Sequence, residues 1–147
     1  FLVRQKRYEE SLELFETVAK DLTFPDRAES LYFIGLSALK LNNIERAEAA
    51  FGHSLNLRPR LAPSALEMAP LAFDKQDYAN ANKYLKHFER VSAPNARSLW
   101  LGIRIERVFG NKDREASQAL ALKNMFGYSQ EYLEYKQSLE ADTQDSL

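Results

Sequence analysis

Apolar side chains recur along this chain at spacings of three and four residues, and no segment alternates apolar and polar as a half-buried strand would. Leu31, Ile34 and Ala38 follow that rhythm, as do Ala47, Phe51 and Ser54, then Ala81, Leu85 and Phe88. Ala47 and Ala81 are spaced by 34, and each is followed one helical turn later by a bulky side chain, Phe51 and Leu85. The pattern predicts an all-α chain of paired antiparallel helices repeating at that spacing. Such a hairpin cannot bury its apolar face alone, so neighbouring units must stack.

A helix pair with a small residue in the second helix and a bulky one four later resembles the tetratricopeptide repeat, whose units stack into a superhelix of antiparallel helix pairs. With the small residue placed at position 20, complete units span 28–61, 62–94 and 95–128. The first offers Gly35 and Ala47 as the crossing point of its helices, where a larger side chain would push them apart. Its other packing positions are Leu31, Ile34, Ala38, Phe51 and Ser54, and Pro59 closes it. The second offers Ala65, Met68, Ala69, Ala72, Tyr78, Ala81, Leu85 and Phe88. The third offers Leu101, Gly102 and Ile105, then Ala116 and Leu120 in its second helix. The step from Gly102 to Ala116 is longer by two than the step from Gly35 to Ala47. That difference predicts a correspondingly longer turn through Gly110-Asn111-Lys112-Asp113.

Upstream, Tyr8, Ser11, Phe15 and Val18 fit the second helix of a partial unit over residues 1–25, with Phe1 in what remains of its first helix. Ala47 lies two positions further from Ser11 than one period, so the connection through Leu22-Thr23-Phe24-Pro25-Asp26 is expected to carry two extra. A last helix is predicted over 129–140 with Ser129 as N-cap, followed by a polar, disordered tail over 141–147. The whole is expected to form one domain over 1–140. Asn43, Asp77, Asn95 and Asp113 are the other expected N-caps. Pro70 falls inside a predicted first helix, where it removes a backbone bond at about 3 kcal/mol, so a kink or a shortened helix is expected there.

Composition narrows the functional classes. The chain has 147 residues, 45% of them hydrophobic, enough for a continuous core. Its 20 basic and 21 acidic side chains are interspersed, so no basic face for a nucleic-acid backbone is expected. Cysteine is absent, which excludes disulfides and cysteine-ligated metals. No apolar run approaches the roughly 20 residues of a membrane span. The chain has no initiator Met or signal peptide, and Phe1-Leu2-Val3 reads as the end of an interrupted helix, so a fragment of a longer protein is expected.

Candidate chemistry is sparse. His53 and His87 are one period apart and occupy the same repeat position on neighbouring second helices, which argues for repeat inheritance and not for a metal pair. Glu9, Glu13 and Glu16, like Glu131 and Glu134, read as solvated helix faces. No nucleophile elbow, phosphate loop or zinc-protease motif occurs, so neither an enzyme nor a cofactor or metal site is expected.

The candidate site is the groove lined by first helices. Its inward positions hold Glu29, Tyr32, Leu36, Leu39 and Lys40, then Pro63, Leu66, Pro70, Phe73 and Asp74, then Ala96, Leu99, Ile103, Glu106 and Arg107. Tyr32, Leu36, Leu39, Leu66, Phe73, Leu99 and Ile103 make it mostly apolar, suited to an amphipathic helix or an extended apolar segment. The alternative is that neighbouring helices or the C-terminal helix fill it. The Lys and Asn that clamp a C-terminal carboxylate in chaperone-tail adaptors are missing: Tyr32/Leu36, Leu66/Pro70 and Leu99/Ile103 stand there.

Three stretches go beyond the generic repeat: Gln5-Lys6-Arg7-Tyr8-Glu9-Glu10, Ser64-Ala65-Leu66-Glu67-Met68-Ala69 and Asn95-Ala96-Arg97-Ser98-Leu99-Trp100-Leu101-Gly102-Ile103-Arg104. On them the chain resembles the type IV pilus biogenesis lipoproteins of the PilF/PilW family, from about residue 1 to 136, as the C-terminal half of a member. The resemblance implies export, a lipid anchor upstream, and a periplasmic place at the outer membrane. It implies a pilotin role, supporting localisation or assembly of the secretin pore, with secretin subunits or another pilus component as partners. The chain departs from the family in lacking the lipidation segment and N-terminal repeats, and in Pro70, where members carry a polar residue. A generic tetratricopeptide adaptor with an unrelated peptide partner is the alternative reading.

Overall fold

The computed structural model describes residues 2–20 and 26–145. Among them are eight helices and no strand: α1 (Leu2–Lys20), α2 (Arg27–Lys40), α3 (Ile44–Leu57), α4 (Ala62–Asp74), α5 (Tyr78–Val91), α6 (Ala96–Phe109), α7 (Lys112–Phe126) and α8 (Gln130–Asp145). Pairs α2/α3, α4/α5 and α6/α7 are the predicted hairpins. The chain divides into two compact units, one through Val91 and one from Ser92, where a single domain over 1–140 is expected from sequence. In the first, α1 packs on α2, α2 on α3, α3 on α4 and α4 on α5; in the second, α8 packs on both α6 and α7.

The period is written into the turns. Each hairpin reverses through one residue with positive φ, Asn42 at 59°, Gln76 at 64° and Gly110 at 75°, spaced by 34. The following amide returns to the helix just ended: Asn43 to Ala38 O at 2.8 Å, Asp77 to Ala72 O at 2.9 Å, Asn111 to Glu106 O at 2.9 Å. This left-handed closure satisfies carbonyls that the helix end leaves without partners. Asn43 and Asp77 then cap the next helices by accepting from Arg46 N and Asn80 N. Asn95 and Ser98 form a reciprocal capping box, and Ser129 accepts from Tyr132 N.

In the third hairpin this regularity overturns two expectations. The turn is only Gly110-Asn111, and Asn111, not Asp113, holds the N-cap position. The buried residues of α7 are Ala119 and Leu122, each 34 beyond Leu85 and Phe88, whereas Ala116 and Leu120 are exposed. Position 20 of this unit is therefore Glu115, which ion-pairs with Arg107 at 2.6 Å. The small residue next to it in sequence imitates the expected register. Gly102 still marks the crossing: a Cβ there would strike the Gln118 side chain, as one at Gly35 would enter the Phe51 ring.

In α1 the buried residues are Leu12 and Ala19, while Tyr8, Ser11, Phe15 and Val18 are half-buried, so the inner stripe lies one residue from the expected one. The expectations for Phe1 and for the connection through Pro25 lie outside the described residues. α4 continues through Pro70 to Asp74 with no break. Proline's fixed φ suits a helix, and Leu71 beyond it is anchored in a core cluster with Ala38, Ala47 and Phe51. α8 runs to Asp145, past the predicted end at 140, because nothing from Ala141 onward breaks it and Thr143 bonds back to Leu139 O. The tail expected to be disordered is helical that far.

Candidate functional site

Tyr32, Leu36 and Leu39 lie at i, i+4 and i+7 on one face of α2, and all three are half-buried. They pack on Ala38, Ala47, Phe51 and Leu71 together with Met68 of α4. Tyr32 sits 5.9 Å from the Phe51 ring and 5.3 Å from Phe33, which stacks on Phe15 at 5.1 Å. These side chains keep part of their apolar surface open while their inner halves are fixed by packing. Met68 is expected from sequence only as a packing residue; its unbranched thioether adds an adaptable rim to the same patch.

The other expected groove residues divide. Phe73 remains half-exposed at the end of α4, set edge-on against Tyr78 at 5.2 Å. Leu66 is 7% exposed and belongs to a different cluster, with Ala65 and Phe88, so it presents almost nothing to a partner. In the second unit Ile103 is fully buried. It clusters with Trp100, Ala119 and Leu122, and Tyr132 and Tyr135 of α8 pack over that cluster beside Leu99. The α8 helix fills what would have been open surface, which is the alternative that the sequence leaves standing. Glu106 and Arg107 are also engaged. Glu106 is buried and accepts from Asn111 Nδ2 at 2.7 Å, and Arg107 donates to Glu115 and to Ser138 Oγ.

Among the predicted residues, Tyr32, Leu36, Leu39 and Phe73 of the first unit and Leu99 of the second stay half-buried, and the first unit holds the larger share of this apolar surface. It offers shape and apolar area but no acid–base or nucleophilic pair. His53 and His87 stand in separate clefts. Among the described residues, no group of three or more His, Asp or Glu could hold a metal ion.

Known proteins agree with this architecture. A tetratricopeptide repeat family model matches residues 2–54. The chain is 37% identical over 136 residues to the type IV pilus assembly protein PilF of Pseudomonas aeruginosa, an alignment covering 92% of this chain and 54% of that protein. The chain is homologous to PilF. It also resembles the structure solved in the functional characterization of Pseudomonas aeruginosa PilF. There the TM-score is 0.85 at 36% identity, covering 94% of this chain and 62% of that one. PilW, described as a widely conserved type IV pilus biogenesis factor, gives a TM-score of 0.73 at 27% identity, with 90% and 60% covered. The fold is thus the all-α tetratricopeptide type that PilF and PilW share. The chain spans about half the length of the curated relative it matches.

Proposed function

We propose that the chain is part of a non-catalytic tetratricopeptide scaffold in type IV pilus biogenesis. The homology to PilF over 92% of the chain carries this reading. The open apolar face of Tyr32, Leu36 and Leu39 supports it, because half-buried apolar side chains on a rigid helix suit capture of an amphipathic or extended apolar segment. The finer reading is that the captured partner is a secretin subunit or another pilus component, at the periplasmic face of the outer membrane. A lipid anchor borne by a segment outside this chain would hold it there. Among the described residues no helix is long and apolar enough to cross a membrane.

The test is a deletion strain. Loss of twitching with secretin left mostly monomeric is expected; intact secretin multimers would overturn the secretin reading, and normal twitching would overturn the pilus reading altogether. For the surface, Tyr32→Glu or Leu36→Glu is expected to weaken capture of the secretin about tenfold or more, since losing a hot-spot anchor at an interface centre costs about 2 kcal/mol and a tenfold change needs about 1.4 kcal/mol. Far-UV dichroism of the variants separates lost capture from lost fold, and unchanged capture would place the interface elsewhere.

A further inference from the structure

The first unit has a second concave feature, on the side formed by its second helices. A cleft of about 330 Å³ opens between the end of α3 and the length of α5. Leu55 and Pro59 form one wall, and Lys83, Tyr84, His87 and Arg90 form the other. Lys83, His87 and Arg90 stand at i, i+4 and i+7, one face of α5. His87 fixes the walls to each other: its Nε2–H donates to the Pro59 carbonyl, which can only accept.

A repeat-equivalent cleft lies between α1 and α3, where His53 and Ala50 occupy the places that His87 and Tyr84 take one period later. The two differ in chemistry. The α1–α3 cleft contains Glu16, already paired with Arg46. The described residues lining the α3–α5 cleft include no carboxylate. Lys83 and Arg90 are exposed and form no ion pair among the described residues; the nearby Lys86 and Glu89 pair with each other at 3.4 Å. This cleft therefore combines an apolar floor, made by Leu55, Pro59 and the Tyr84 ring, with two cations that nothing in the described unit neutralises.

We propose that the α3–α5 cleft binds an extended acidic–apolar segment of a protein partner. Lys83 and Arg90 are two helical turns apart, about 10 Å along the axis at roughly 1.5 Å per residue. A segment in the extended polyproline II conformation advances about 3.1 Å per residue with three residues per turn. Acidic side chains three positions apart therefore lie on one face about 9 Å apart, close to the spacing of the two cations. The two apolar residues between them flank that face, against Tyr84 and Leu55. Two cations with an apolar floor do not make the run of phosphate contacts a nucleic acid needs. This site is independent of the Tyr32 surface and of the pilus reading.

The probe is a fluorescein-labelled peptide, Gly-Ser-Asp-Leu-Phe-Asp-Gly-Ser, titrated by fluorescence polarisation. Saturable binding is expected. It should weaken about tenfold for the Asn-Leu-Phe-Asn version and for the double variant Lys83→Glu/Arg90→Glu, and should weaken as salt is raised. Tyr32→Glu should leave it unchanged, which keeps a failure here distinct from a failure of the Tyr32 surface. Both altered cations are solvent-exposed, and an unchanged thermal midpoint shows that the double variant folds. Absence of saturable binding, equal binding of the amide peptide, or full binding by the double variant would each overturn the proposal. So would phosphatidylglycerol–phosphatidylcholine vesicles that bind and depend on Lys83 and Arg90 when the peptide does not, which would assign the cleft to a lipid surface.

Discussion

The three hairpin turns pose the same demand on residues of unequal fitness. Each needs a left-handed backbone, and the occupants are Asn42, Gln76 and Gly110. Glycine enters this region without penalty and asparagine tolerates it, but glutamine has neither advantage. Gln76 is exposed, so its side chain contributes little that its loss would cost. Gln76→Gly is therefore expected to stabilise the chain by about 0.5–1 kcal/mol, offset only in part by the greater freedom glycine has in the unfolded chain. Thermal unfolding followed by circular dichroism should show a midpoint higher by about 2–4 °C. The converse change, Gly110→Ala, should lower it, and a Gln76→Gly variant no more stable than the parent would mean the turn carries no strain.

The element whose role is least legible in the sequence is α8. Glu131-Tyr132-Leu133-Glu134-Tyr135 announces a helix after Ser129, but the spacing does not say which face of α6 it covers. The structure places Tyr135 edge-on to Trp100 at 6.2 Å, with the Arg107 guanidinium near both rings, 5.6 Å from Trp100 and 5.5 Å from Tyr135. Arg107 also bonds to Ser138 at 2.9 Å, so one cation links α6, α7 and α8. Removing a half-buried aromatic ring that also faces a cation costs about 2 kcal/mol. Tyr135→Ala is expected to destabilise the second unit by that amount and to red-shift the emission of Trp100, the chain's single tryptophan. Emission and stability both unchanged would mean that α8 does not shield this face. The hairpins themselves are legible because one apolar stripe and one turn recur at fixed spacing, as Ala47, Phe51 and Ser54 show. The α7 register is not, because Ala116 mimics the small residue that Glu115 replaces. The candidate site is half legible: periodicity places Tyr32, Leu36 and Leu39 on one face, but only tertiary packing decides that Ile103 is covered and Leu66 buried.

At the scale of the molecule, the core is a series of local clusters. Leu12, Ala19, Leu31, Ile34 and Ala50 hold α1, α2 and α3. Ala38, Ala47, Phe51 and Leu71 join α2, α3 and α4, and Ala65, Leu66 and Phe88 join α4 and α5. Buried polar bonds follow the same neighbour-to-neighbour logic: Ser54 Oγ donates to Ala28 O at 2.8 Å, which leaves Ser64 Oγ to donate to Ser54 at 2.9 Å. Stability in such an array is approximately a sum of unit and nearest-neighbour terms, so damage should stay local. Leu12→Ala removes a buried side chain from the end cluster, at about 2–3 kcal/mol. Amide hydrogen exchange is expected to speed up in α1 and the facing turns of α2, while amides of α5 around Leu85 and Phe88 keep their protection. If α5 amides accelerate in step with α1, the unit opens as one cooperative body and the end hairpin has no independence. A locally loosened α1 that leaves the Tyr32 face in place would instead let the capture we propose at α2 and α4 survive loss of order at the chain's first helix.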